Sequence, residues 1–258
     1  MPNGMVISIQ GLRGTWKSSL ALSVPGEKFV FDLEYGLHRA RGVEALTPDR
    51  IMRMPIDLAG LTRFKGELVV GQSERWNELM KQYGSLLIGA GVVAQTIVFD
   101  TWKEAWTLNC QAFLQDKQQT QLAEFRRKFP MNQEDDAALS RTIQGFRQSL
   151  MPVEYSLPGS RMDAIITLAK QFNKTLVLIS HQRDKYVGDK PTGELELDGY
   201  KKTEDLADWC FTTFTKLVDQ RRMPHVRIEK NPLDDKFQGL EIPNPTWERI
   251  CKVVGVQL

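Results

Sequence analysis

The chain has 258 residues, 41% of them hydrophobic and 26% charged, an ordinary balance for a globular protein with room for one large domain or two small ones. Lys and Arg total 34 against 32 Asp and Glu, so the net charge of +2 neither demands nor excludes nucleic acid; any such contact must come from local patches rather than a bulk field. Cys110, Cys210 and Cys251 lie far apart without a C-x-x-C pair, and His38, His181 and His225 are scattered singly. A disulfide framework and a zinc site are therefore not expected, and a reducing, cytoplasmic setting is. The chain shows no signal stretch and no run of transmembrane length, so no membrane is expected.

In chain order, the apolar run Met5 to Ile9 predicts a first strand, and Ser18 to Val24 predicts a short helix ended by Pro25-Gly26. KFVFD at Lys28 to Asp32 reads as a strand covered on both faces. Leu33 to Gly36 leaves it as a loop, and Arg50 to Ile56 is a weaker strand. Asp57 to Gly71 is ambiguous. Trp76, Leu79, Met80, Tyr83 and Leu87 recur at helical spacing, so Glu74 to Leu87 is expected to be a helix. Gln95 to Phe99 is a strand that delivers Asp100 at its end, and Thr101 to Phe125 a long helix.

Arg126 to Pro158 is expected to be an excursion, helical around Ala137 to Leu150. A helix at Arg161 to Phe172 precedes the apolar strand TLVLIS at Thr175 to Ser180, which ends in His181. Gly, Asp and Lys crowd the stretch Tyr186 to Tyr200, which suits a hairpin within a flap at 183–202. Thr203 is expected to cap a short turn through Leu206. Strands are expected at Trp209 to Lys216, Val226 to Lys230 and Trp247 to Val254. Alternating strands and helices, then strands and hairpins, predict a single α/β domain over 1–258, with a mainly parallel sheet and antiparallel additions near the C-terminus. Right-handed crossovers then bring the carboxyl ends of the parallel strands to one edge, where ligands bind.

The first strand feeds QGLRGTWKSSLA. Gly11, four residues, Trp16, Lys17 and Ser18 follow G-x-x-x-x-G-K-[ST], except that Trp16 stands at the last glycine. Glycines let the chain curl so that successive N–H groups face inward and cradle phosphate oxygens. Lys17 would reach the β and γ phosphates, and Ser18 would hold Mg2+. Gly11, Leu12, Arg13, Gly14, Thr15, Trp16, Lys17, Ser18 and Ser19 are therefore the candidate ATP-binding residues. An indole there is expected to be tolerated if its φ is negative; narrowing of the site and stacking of the ring on a neighbour are the other outcomes expected of it. Asp100, an acid closing an apolar strand, is the candidate partner of Ser18 for the metal.

The Walker-like loop, FDLEYG, TIVFDT and LISHQ occur in an order that resembles RecA-type P-loop ATPases. More narrowly, it resembles the small phage-encoded AAA-type ATPases of the recombination and single-strand annealing group. The resemblance spans roughly residues 5–231 and implies a RecA-like fold. It makes Glu34 the catalytic glutamate, Asp32 a supporting acid near the metal, and His181 or Gln182 the sensor of the γ-phosphate. Lys230, with Arg227 as second candidate, resembles a lysine supplied in trans, which implies a homo-oligomer, ring or filament. Single-stranded DNA is the implied partner, in a phage-infected bacterial cell.

Arg126, Arg127 and Lys128, and a looser set from Lys170 and Lys174 through Arg183, Lys185, Lys190, Lys201 and Lys202, are the basic residues available to it. Tyr186 and Tyr200 could stack on bases. Each candidate also has a plainer reading. Asp100 can cap a helix, Glu34 can be a loop acid, His181 can end a strand, and Lys230 can be a surface lysine. A P-loop nucleotide kinase and a nucleotide-free DNA-binding or assembly protein are the alternatives.

Overall fold

The computed structural model describes residues 4–54, 68–128, 145 and 147–256. The chain divides into two compact units, 1–53 with 84–105 and 162–258, and 54–83 with 106–161. The candidate loop, acids and histidine all lie in the first unit.

That unit is built on a mixed sheet of nine strands among the described residues, in the order β3-β2-β4-β5-β1-β7-β8-β9, with β6 paired to β5. The strands are β1 Val6–Gly11, β2 Lys28–Asp32, β3 Ile51–Met52, β4 Thr96–Asp100, β5 Thr175–Val187, β6 Lys190–Asp198, β7 Trp209–Val218, β8 Arg221–Lys230 and β9 Glu241–Pro243. β3, β2, β4, β5, β1 and β7 run parallel; β6, β8 and β9 add antiparallel to their neighbours. The fold class is thus α/β, a mostly parallel sheet flanked by helices, with antiparallel strands towards the C-terminus.

Helix α1 spans Lys17–Ser23, α2 Gln72–Ile88, α3 Trp102–Lys128, α4 Ser156–Gln171, α5 Thr203–Leu206 and α6 Trp247–Val254. Ile7 and Ile9 of β1, Val177 and Ile179 of β5 and Phe211 of β7 form one buried cluster with Leu20, Ala21 and Leu22 of α1 and with Trp247, Ile250 and Val254 of α6. The period of two along each strand turns alternate residues to that side. The rings of Phe31 and Phe99 stack, and Phe99 meets Trp102 at the start of α3, 5.2 Å between ring centres.

The expected last strand is instead the helix α6. Trp247, Ile250, Cys251 and Val254 are buried at spacings of three and four, one helical stripe. Thr246 Oγ1 accepts from the Arg249 N–H, and Gly255 closes the helix in the left-handed conformation, φ 76°. Burying such side chains stabilises by about 1.5–3 kcal/mol each, which outweighs the β preference of Trp, Ile and Val. The β3 candidate shrinks to Ile51–Met52, and its last two residues lie outside the described ones. Most of the ambiguous segment 57–71, and the helix expected at 137–150 up to residue 144, lie outside them too.

β5 and β8 run well past the stretches expected of them. β5 continues through Val187 and turns back as β6, so the flap is a two-stranded arm. The second hairpin, β7–β8, turns at Asp219 and Gln220, both at positive φ. Among the described residues no helix is long and apolar enough to cross a membrane.

Candidate nucleotide site

Register places the candidates on one sheet edge. Gly11 lies level with His181 on one side and Thr213 on the other. Asp32 lies level with Asp100, which lies level with Ile179. The acids, the histidine and the loop therefore share the carboxyl ends of adjacent parallel strands, where open α/β sheets bind ligands.

The loop is clamped onto β7. Gly11 has φ 155°, and a Cβ there would stand 2.4 Å from the Thr213 carbonyl oxygen, so only glycine fits. Thr15 Oγ1 donates to the Leu12 carbonyl at 2.7 Å and lies 2.8 Å from Thr213 Oγ1. Thr213 Oγ1 also reaches the Gln10 carbonyl at 3.2 Å.

Trp16 does not take the negative φ on which its tolerance was expected to rest. It sits at φ 69°, ψ 20°, the left-handed conformation that a glycine would supply. For a residue with a Cβ that costs about 1–2 kcal/mol. The indole lies out under Arg41, whose guanidinium carbon is 4.5 Å from the ring centre. Such a contact returns about 0.5–1 kcal/mol at an exposed site. The loop backbone thus keeps its glycine-type turn despite the substitution. Among the described residues no side chain caps α1, and a helix start leaves its first N–H groups without intrahelical partners.

Lys17 is 6% exposed, and its amine donates to the Gly11 carbonyl at 3.0 Å and the Leu12 carbonyl at 2.7 Å. Burial pulls its pKa down from 10.5 to about 8, with Asp100 and Glu34 pulling the other way. Ser18 Oγ donates to Asp100 Oδ2 at 2.6 Å. Asp100 is buried and its pKa is raised, mainly by that burial, with the charges of Asp32 and Glu34 adding to it. The cap of α3 is Thr101, whose Oγ1 accepts from the Glu104 N–H at 3.4 Å, so Asp100 is not held there as a helix cap.

Among the described residues no group of three or more His, Cys, Asp or Glu is arranged to hold a metal. Mg2+ does not require one. It typically takes one or two protein oxygens and completes its shell with water and phosphate. The Ser18 hydroxyl and the Asp100 carboxylate, already touching, are a donor set of that kind.

Asp32 is engaged elsewhere. Its Oδ1 accepts from the Gly36 and Leu37 N–H groups at 3.0 and 3.3 Å, and its Oδ2 from Arg53 Nε at 2.9 Å. Both oxygens of this fully buried carboxylate therefore fasten the loop after β2. That loop carries Glu34. The Leu33 N–H donates to the Asp100 carbonyl at 2.6 Å. Glu34 Oε1 accepts from Thr101 Oγ1 at 3.1 Å, and Oε2 lies 3.0 Å from His181 Nε2. The histidine contact is the main cause of a lowered Glu34 pKa. With its proton on Nε2, His181 donates to the carboxylate, and its buried Nδ1 has no partner among the described residues.

The structure thus brings together Gly11, Lys17, Ser18 and Asp100, and joins Glu34 to His181. Lys230 stays apart. It is paired with Cys210, and Cys210 lies level with Ser8, three residues before Gly11 on β1. Its amine donates to the Glu204 and Asp205 carbonyls at 3.1 and 3.0 Å, so within one chain it does not join the site. Arg227 donates to Glu229. Of the basic set, Arg183 meets Glu196, Lys185 meets Glu194 and Lys170 meets Asp208.

Sequence reading missed Thr213, Arg53, Thr101 and Arg41. Thr101 was visible as the residue beside Asp100; the others reach the site only through sheet register or the return of the chain. No protein-family model matches this sequence, and no curated protein matches it.

Proposed function

We propose that this chain binds a nucleoside triphosphate with Mg2+ at the β1–α1 loop and hydrolyses it as an ATPase on a RecA-like core. The observation that carries the reading is the 2.6 Å hydrogen bond between Ser18 and Asp100, 82 residues apart in sequence. Both were selected from separate motifs, and the fold sets them in contact beside a buried lysine.

In this reading the loop amides and Lys17 take the phosphates, Lys17 leaving the carbonyls of Gly11 and Leu12 to do so. Ser18 and Asp100 hold the Mg2+, which supplies charge neutralisation on the phosphate chain. Asp32 fixes the loop that presents Glu34. Glu34, kept ionised by His181 and Thr101, accepts a proton from the attacking water. His181 links that carboxylate to β5 and through it to the β5–β6 arm, so occupancy of the site and the posture of the arm can be coupled. Single-stranded DNA as partner, action in phage-type recombination or replication, and an oligomer in which Lys230 meets the nucleotide of a second copy all rest on the resemblance.

The test is hydrolysis of ATP by the wild type and by Glu34→Gln, with Mg2+ or EDTA, with and without single-stranded DNA. The proposal expects Mg2+-dependent turnover stimulated by DNA and reduced by about 10²-fold or more in Glu34→Gln. Turnover indifferent to that substitution would overturn the role of Glu34. A second reading, a nucleotide-free scaffold, is favoured by the Lys17 amine lying on its own loop carbonyls. It predicts no nucleotide binding at all.

A further inference from the structure

One cation beside the loop has no part in the reading above. The Arg41 N–H donates to Ser19 Oγ at 3.0 Å, which ties the backbone after β2 to the first turn of α1. The guanidinium of the same residue lies over the Trp16 ring at 4.5 Å. Two separate contacts therefore hold Arg41 against the phosphate loop. Among the described residues no carboxylate or carbonyl accepts from this guanidinium, and the residue is exposed. An arginine with one face on an aromatic ring keeps its five N–H donors free around the rim.

Trp16 is also the one residue by which the loop leaves the G-x-x-x-x-G-K-[ST] pattern. A glycine would give the same left-handed turn without strain, so the backbone does not call for an indole here. What the indole adds is a seat for the cation.

We propose that Trp16 and Arg41 form an added anion-binding element of this loop, the indole holding the guanidinium where it takes a phosphate oxygen of a bound nucleoside di- or triphosphate. This rests on the nucleotide-binding reading. The planar fork of arginine suits two oxygens of a phosphate, and lysine at the same position would supply charge without the stack or the fork. The pair acts as a unit, because the guanidinium of Arg41 depends on the Trp16 ring for its seat while the Ser19 contact holds only the backbone.

The experiment is equilibrium titration of ATP and of ADP, with Mg2+, into the wild type and into Arg41→Ala, Arg41→Lys, Trp16→Gly, the Trp16→Gly/Arg41→Ala double variant and Lys17→Ala. Thermal unfolding of each confirms that it is folded. Arg41→Ala is expected to weaken nucleotide binding roughly ten-fold. Arg41→Lys should fall between it and the wild type. Trp16→Gly should also weaken binding, and the double variant should be no worse than Arg41→Ala alone, the non-additivity of a coupled pair.

Affinity of Arg41→Ala within two-fold of the wild type, while Lys17→Ala abolishes binding, would overturn this proposal and leave the nucleotide site standing. Tighter binding by Trp16→Gly would make the indole an obstruction and overturn it likewise. Failure of the wild type to bind either nucleotide would overturn both.

Discussion

Lys17 is held in a place that disfavours its charge. Burial brings its pKa from 10.5 to about 8. At 1.36 kcal/mol per pKa unit, this amounts to roughly 3 kcal/mol against the charged folded state. Solvent screens little of it, since the residue is 6% exposed. Below pH 8 the lysine is protonated in both folded and unfolded chains, and the whole cost is present. Between pH 8 and 10.5 the unfolded chain holds more protons, so stability from this group rises with pH; above 10.5 the cost is gone.

Lys17→Met keeps an apolar stem and removes the charge. It is expected to be more stable than the wild type at neutral pH, by at most roughly 3 kcal/mol. The carbonyls of Gly11 and Leu12, left without the amine, subtract about 1 kcal/mol each. The gap between the two proteins should then shrink from pH 8 to 10.5. Urea unfolding at a series of pH values measures it, and titrations common to both proteins cancel in the difference. A gap that does not change with pH, or a variant less stable than the wild type at every pH, would refute the placement of this amine. The same titration governs binding: nucleotide affinity of the wild type should fall as pH rises through about 8, because the phosphates need the protonated amine.

Asp100→Asn removes a carboxylate whose pKa burial raises, so the nucleotide-free protein should gain stability at neutral pH while Mg2+-dependent nucleotide affinity drops at least roughly ten-fold; unfolding and titration together read both. Thr213→Val takes away the hydroxyl that meets Thr15 and the Gln10 carbonyl, and should cost about 1–2 kcal/mol in unfolding experiments, most of it restored by Thr213→Ser. His181→Ala withdraws the main cause of the lowered Glu34 pKa, so that carboxylate returns towards its ordinary range. The acid limb of the pH–rate profile for hydrolysis should then move to higher pH, while nucleotide affinity at neutral pH holds.

Much of this site was legible because its signals are local. A glycine-rich turn after an apolar strand, a lysine and hydroxyl at the helix start, and an acid closing a second strand can each be read within ten residues. Strand burial then forces them onto one edge. What could not be read depends on distant chain. Thr213 reaches the loop only because β7 pairs with β1, and Arg41 only because the chain after β2 returns to α1. Asp32 reads as an acid near a metal, yet its surroundings turn both oxygens to the loop that carries Glu34. Residues 183–187 of β5 and 221–222 of β8 are exposed, and these outer stretches carry little apolar signal, so the full length of the two strands is not legible. At Trp247–Val254 bulky and β-branched residues suggested a strand, while the spacing of Trp247, Ile250, Cys251 and Val254 already spelled a helical stripe.

The central claim is that the loop from Gly11 to Ser19 holds a triphosphate with its metal. Calorimetric titration of a slowly hydrolysed ATP analogue into the wild type and into Lys17→Ala, each with Mg2+ and again with EDTA, tests it most directly. The account predicts one analogue bound per wild-type chain in the presence of Mg2+, much weaker binding in EDTA, and none detectable for Lys17→Ala. A wild type that binds no analogue, or a Lys17→Ala variant that binds it equally well, would contradict it.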